Sequence, residues 1–556
     1  MKKIAIISLI ILLSGGFYNF QQNQDKYFEI AKNLDIFATL FKEVNTYYVD
    51  DISPSKVIKT GIDGMLESLD PYTNYIPEDD IEDYRTMTTG QYGGIGAIIG
   101  KKGTKNIILM PYENFPAHKS GLKIGDELIS IDGKDVKDKS TNDISKLLKG
   151  QAGTKLKVTI KRMNKPELLT LDITREKIKI ENIPYVGMIN SEVGYFHLTD
   201  FTTGASKDVR DAVNKLKEMG AKKIIFDLRD NPGGLLTEAI NITNLFVPKG
   251  SEIVSTKGKV SEWNKTYPGL DNPLDLEIPL IVLTSGRSAS AAEIVSGVIQ
   301  DYDRGVLIGE KTFGKGLVQA TRPLSYNAQL KVTTAKYYIP SGRCIQAIDY
   351  SKKKEDGSVS KIADSLRREF KTKNGRKVYD GAGIYPDIEV KKSELAQITQ
   401  SLINKNLIFD FATEYYYSHY KIVGGKEFSL TDKEYDSFTE WLKGKDYDYT
   451  TKIETDLNSL VENAKKEKYY DGLKDQIESL KKEITHDKES DIQKFKDEIK
   501  EMLENEIVSR YYLQKGIIEA SFDHDEDIKA AVELFKDDAK YKAMLQANSA
   551  GTEGKK

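Results

Sequence analysis

Three short apolar runs, each broken by a glycine-bearing turn, constrain this chain more than any other feature. Leu280–Leu283 (LIVL) is wholly apolar and is followed at once by Thr284, Ser285, Gly286 and Arg287, then by an apolar-periodic segment ending near Gln300. A run of that length between turn signals reads as a buried strand, and the periodic segment after it as a helix. Lys222–Leu228 (KKIIFDL) is a second such strand and ends in RDNPGGLL; Gly305–Gly309 is a third and leads through GEKTFGKG into LVQAT. Strands alternating with helical segments predict an α/β core.

The turns carry the candidate chemistry. Ser290 falls at the first turn of the predicted helix, which exposes its hydroxyl and sets backbone N–H groups and the positive helix end beside any oxyanion. With Glu293 three residues on, Ser290 reads equally as the N-cap of a capping box. A serine nucleophile needs a base, most often histidine. The five histidines (His118, His197, His419, His486 and His524) all lie far from Ser290 in sequence. A desolvated lysine can serve instead, and Lys315 in FGKG is a candidate; between two glycines it reads also as a solvated turn residue. If Lys315 to Gln319 is extended, Lys315, Leu317 and Gln319 share one face, and Gln319 can hold the amine. Gly234 of the PGG turn and the N–H of Ala291 are candidate oxyanion donors, against the alternative of a plain strand-to-helix turn. GEKTFGKG approaches a phosphate loop, but Gly316 stands where that motif needs a magnesium-ligating hydroxyl, and a strand follows where it needs a helix.

GYFHLTDF, IIFDLRDNPGGLL, TSGRSASAAEIVSGVIQDYDRG, IGEKTFGKGLVQ and YYIPSGRCIQ together resemble the carboxyl-terminal processing (tail-specific) serine proteases. The resemblance implies that Ser290 is the nucleophile, Lys315 the general base and Gln319 the residue orienting it. It maps the oxyanion donors to Ala291 and to the glycine pair, Gly234 ahead of Gly233. No metal or other cofactor is implied. The implied fold is multidomain α/β: a mixed α/β protease core with an inserted β-rich PDZ domain and helical N- and C-terminal regions.

The second module is YGGIGAII, ENFPAHKSGLKIGDELISIDGKDV and GTKLKVTIKR, which resembles a PDZ domain over residues 88–175. Its glycine-rich segment offers N–H groups for a peptide's terminal carboxylate, with Gly94, Ile95 and Gly96 as the loop, and the adjoining strand edge can accept the peptide by β-augmentation. Without the resemblance the segment reads as a small β-rich domain with tight turns at Gly125-Asp126 and Asp132-Gly133.

Lys2 and Lys3 precede the apolar run Ile4–Leu13 and then SGGF, the pattern of an export signal. Residues 1–20 are therefore expected to be a signal peptide or, through residues 4–17, a membrane anchor, and the protein to be exported to the periplasm or cell envelope. Cys344 is the single cysteine, which excludes an intrachain disulfide and a cysteine-rich metal site. A formal net charge of −3 argues against nucleic acid as a partner. The partners expected are protein substrates, bound by their C-terminal tails, and a second copy of the chain; whether an accessory activator is needed is open.

The expected layout is a helical N-terminal region at 25–87, the PDZ domain, a protease core at 176–390, a helical C-terminal domain at 391–546 and a disordered tail at 547–556. The core carries a polar insert at about 347–379, expected to be a surface excursion. Leu473, Ile477, Leu480 and Ile484 form one helical stripe and Ile492, Phe495, Ile499, Met502 and Leu503 another, with THDKES as the bend of a hairpin. This domain is assigned to dimerisation or substrate gating. The competing function is a non-catalytic PDZ scaffold for exported tails.

Overall fold

The computed structural model describes residues 26–353, 358–392, 394–484 and 488–546. The export segment, the bend at 485–487 and the tail from 547 lie outside the described residues.

The core is built on a six-stranded sheet in the order Tyr185–Met188, Val193–His197, Lys223–Asp227, Leu280–Thr284, Val306–Gly309 and Ile388–Glu389. The first pair is antiparallel and every other neighbour is parallel. Period-two alternation sends Ile224, Phe226, Leu280 and Val282 to one face, where they pack with Val209, Val213, Ile242, Val295 and Val298 of three helices. It sends Ile225, Ile281, Leu283, Val306 and Ile308 to the other face, against Phe522, Ile528, Leu534 and Phe535 near the C-terminal end of the chain. Burial on both faces is why these strands are continuous apolar runs rather than alternating ones.

A second sheet joins Glu252–Gly258, Lys265–Pro268, Leu317–Pro323 and Gln329–Tyr338, and its edge is taken by Asn74–Ile76 from the N-terminal region. The PDZ-like module is a separate sheet in which Ala97–Lys102 is an edge strand, with helix Thr141–Leu148 packed over Ile95, Ile108 and Leu128. Phe409 of the helical domain seats this module: it packs on Ile107 and Ile124, and the Lys102 Nζ lies 3.8 Å above its ring.

The insert is more than a solvated excursion. It forms two hairpins, Ile348–Lys353 with Val359–Lys361 and Glu369–Lys371 with Lys377–Tyr379. Arg376 anchors the second one from a buried position, 2.6 Å from both Asp303 and Asp387. Of the two helical stripes, Ile492, Ile499 and Leu503 are core. Leu473 and Leu480 stay 42% and 43% exposed, because their helix packs mainly on the single neighbour Lys452–Lys466 and buries Ile477 alone of the three. Helix 26–47 is exposed along most of its length, Phe28, Leu34 and Leu40 included.

Candidate active site

The sharp turn after Leu280–Thr284 delivers Ser290 to the start of helix Ala291–Asp301 with φ 54° and ψ −113°. A non-glycine residue there is strained, a backbone feature also found at the nucleophile turn of strand–turn–helix hydrolases. The strain is held by neighbours: Ala289 N–H donates to the Asn231 carbonyl at 2.9 Å, and Ser288 Oγ donates to the Leu228 carbonyl at 2.7 Å. Both acceptors belong to the loop that follows strand Lys223–Asp227. Ser290 and Glu293 do stand as a capping pair. Its short bond runs from Ser290 N–H to Glu293 Oε2 at 2.8 Å, while Glu293 N–H donates to the Ser290 carbonyl at 2.9 Å.

Glu293 is fully buried, and its carboxylate accepts two further backbone N–H groups, from Gly314 at 2.7 Å and Lys315 at 2.8 Å, and the Thr312 hydroxyl at 2.6 Å. Burial raises its pKa against the pull of these donors. One side chain thus fixes both the Ser290 turn and the Lys315 turn. Tyr337 does the same from the other side, its hydroxyl lying 2.5 Å from the Lys315 carbonyl and 3.1 Å from that of Ser290. Neither residue is singled out as functional by the sequence; S-x-x-E marks Glu293 only as a cap, and Tyr337 enters only as part of the YYIPSGRCIQ stretch.

The Lys315 amine is half-buried. Desolvation and the like charge of Lys331 lower its pKa to about 8, against the attraction of Glu293 and Asp70. Its Nζ lies 4.3 Å from the centre of the Tyr72 ring. Gln319 is the third residue of the strand that follows the Lys315 turn. The strand starts only at Leu317, and its pairing shifts between Val318 and Gln319. The extra residue of that bulge, Thr334, belongs to the partner strand Gln329–Tyr338, and the Gln319 amide donates to Thr333 Oγ1 at 3.3 Å.

The glycine pair is not interchangeable. Gly233 N–H donates to Asn231 Oδ1 at 2.8 Å and its carbonyl accepts from Phe201, so its donor is spent. The N–H groups of Gly234 and Ala291 have no acceptor among the described residues. Gly233 lies against the Ser290 turn: with φ 97°, a Cβ there would stand 2.7 Å from the Ala289 carbonyl oxygen. In the PDZ-like module, Gly94 ends a strand paired with Glu176–Lys179, Ile95 is buried and Gly96 has φ 73°. The loop they form leads directly into the edge strand Ala97–Lys102. Among the described residues no group of three or more His, Cys, Asp or Glu is placed to hold a metal ion.

Family models match three stretches: "Peptidase family S41" at 192–352, "PDZ domain" at 107–162, and "Probable PDZ-protease, C-terminal helical domain" at 398–535. A carboxy-terminal-processing protease of Bartonella bacilliformis is 37% identical over 345 residues, covering 61% of this chain and 77% of that protein. The chain belongs to the carboxy-terminal-processing protease family.

A probable CtpA-like serine protease of Staphylococcus aureus is 34% identical over 316 residues, 56% of this chain and 62% of that protein. Among solved structures, a photosystem II D1 C-terminal processing protease is 26% identical, with 64% of this chain and 92% of that one aligned at a TM-score of 0.36. This carboxy-terminal-processing protease is accordingly a serine-type peptidase with a PDZ domain, a mixed α/β core and a helical C-terminal region.

Proposed function

We propose that this protease cleaves proteins whose C-terminal tails it takes at its PDZ domain, with Ser290 as nucleophile and the neutral amine of Lys315 as base. Ser290 Oγ attacks the scissile carbonyl carbon as its proton passes to Nζ. The tetrahedral oxyanion is met by the N–H groups of Ala291 and Gly234. Collapse expels the amine, which takes the proton from Nζ, and leaves an acyl-enzyme; water then attacks with its proton going to the same Nζ, and Ser290 departs. Gln319 enters one step removed, its amide on Thr333 of the strand that also carries Lys331. The observation that carries the reading is the shared clamp: the nucleophile turn and the lysine turn are bonded to one carboxylate, Glu293, beside a lysine amine shifted to about 8.

The tail's last residue would set its carboxylate on the Gly94–Gly96 loop and its backbone along the open edge of Ala97–Lys102. Export follows from the basic and apolar N-terminal pattern. Among the described residues no helix is long and apolar enough to cross a membrane. The exposed apolar side chains of helix 26–47 favour pairing with a second copy.

The test is cleavage of a denatured protein by wild type, Ser290→Ala and Lys315→Ala. Loss of cutting in both variants, with tail peptides still bound, supports the reading. Equal cutting by all three overturns the dyad, and binding without cutting even by wild type favours a scaffold.

A further inference from the structure

Resting on the reading of Lys315 as base, we infer that Tyr72, held over the amine by the N-terminal region and by the insert, is a positioning residue that keeps water off that amine.

The placement starts in the sequence DPYT. Asp70 Oδ1 accepts the N–H groups of Tyr72 at 2.8 Å and Thr73 at 2.9 Å, closing a turn that Pro71 pre-sets. The next residues, Asn74–Ile76, pair antiparallel with Gln329–Lys331, so the turn is pinned to the strand that carries Lys331. Thr333 N–H donates to Thr73 Oγ1 at 3.2 Å and locks the register. The result is the Tyr72 ring 4.3 Å from Lys315 Nζ. Tyr350, on the first strand of the insert, meets Tyr72 edge to face, with centroids 6.0 Å apart and planes at 89°. Two segments distant in sequence thus meet at Tyr72, whose ring lies over the amine.

The charged and titratable groups facing that amine are Lys331 from the neighbouring strand, Glu293 from the nucleophile helix, Asp70 from the N-terminal turn and the phenol of Tyr72; Tyr350 faces Tyr72, and the Tyr337 hydroxyl bonds the Lys315 carbonyl. The ring acts in two opposed ways. Its face attracts an ammonium, and it displaces the water that would solvate that ammonium better. Desolvation stands first among the causes of the lysine's shift, and the Tyr72 ring is one of the surfaces that bury the amine, so its removal admits water. Removing the ring therefore returns the amine toward its ordinary value and leaves less of it neutral at pH 7.

The experiment is the pH–rate profile of the full chain on a denatured protein substrate, for wild type, Tyr72→Ala, Tyr72→Phe, Tyr350→Ala and Lys315→Ala. Tyr72→Ala is expected to move the rising limb up by about one pH unit, cutting the rate at pH 7 about tenfold while recovering it at high pH. Tyr72→Phe keeps the ring and the wild-type midpoint, and Tyr350→Ala gives a smaller upward shift. An unmoved or lowered midpoint in Tyr72→Ala overturns the proposal. So does a loss equal at every pH in a variant that melts like wild type. If Tyr72→Ala does not fold, Tyr350→Ala decides: an upward shift supports the proposal and an unmoved midpoint overturns it. Full activity in Lys315→Ala would instead sink the base assignment beneath it.

Discussion

Ser290 and Lys315 are tied to a single oxygen atom: Glu293 Oε2 accepts the backbone N–H of each at 2.8 Å. The other oxygen takes Gly314 N–H and the Thr312 hydroxyl, so the carboxylate is filled on both sides. Glu293→Gln keeps the shape but turns one acceptor into an NH2 group facing two donors. A buried group left facing its like costs about 1–3 kcal/mol. The rate constant for cleavage should fall at least tenfold in Glu293→Gln, with a lower denaturation midpoint, both measurable on one preparation. A variant equal to wild type in both would show that the clamp does not hold the two turns.

The strands and the turns that carry Ser290 and Lys315 were legible in the sequence, because burial on both faces demands unbroken apolar runs and because glycines mark the turns. It could not show what covers the second face of the sheet, since Phe535 and Tyr541 come from more than 200 residues beyond the strands they cover. Tyr541, whose hydroxyl lies 3.0 Å from the Leu280 carbonyl, looks in sequence like any helical aromatic. Glu293 was readable as a cap and hidden as a clamp, for its other partners arrive from a separate turn. Gln319 could be read only as a face-mate of Lys315; its bond to Thr333 depends on a strand that returns later in the chain and leaves no mark in the local pattern.

Lys315→Met should be inactive and more stable near neutrality. The wild-type amine binds its proton with a pKa of about 8 in the folded chain against 10.5 ordinarily, so the unfolded chain holds more protons between those values. Wild-type stability contributed by this group therefore rises with pH across that window and is penalised below it. The variant should gain about 1–3 kcal/mol at pH 7, shrinking toward pH 10. Chemical denaturation at several pH values measures it. A variant less stable than wild type at pH 7 would mean the amine is not desolvated.

Gly233→Ala tests the packing of the PGG turn on the Ser290 turn. The added methyl would lie 2.7 Å from the Ala289 carbonyl oxygen and 2.9 Å from Ser290 Cβ, in a backbone with φ 97°. The nearest obstacle is backbone, so the strained turn must shift rather than a flexible side chain. A loss of cleavage rate of about a hundredfold is expected, with KM for a tail-bearing substrate nearly unchanged because the PDZ groove lies on another module. An equal rise in KM would place the fault in binding instead.

Arg229→Met should unfasten the C-terminal helices from the core. The Arg229 guanidinium bonds Asp227 at 2.6 Å, Asp525 at 2.6 Å and Asp527 at 2.8 Å, which joins the end of strand Lys223–Asp227 to the start of helix Glu526–Lys536. Burial pushes the Asp227 carboxyl up, yet the guanidinium's charge and hydrogen bonds outweigh it and hold the group at about 2. Its contribution in wild type is therefore present above the ordinary 3.8 and lost as pH falls toward 2. Without the arginine, Asp227 is left buried without its cation and Asp527 keeps only Lys392, 3.9 Å away, a loss of about 3–5 kcal/mol at pH 7. The Asp227 pKa then rises and its sign inverts, that of Asp527, which burial already raises in wild type, rises further, and the variant should gain more stability than wild type as pH falls from 7 toward 4. Hydrogen exchange should report helix 526–536 opening ahead of the central sheet, and protection equal to wild type there would show that the apolar contacts of Phe535 and Leu534 hold the helix without the ion network.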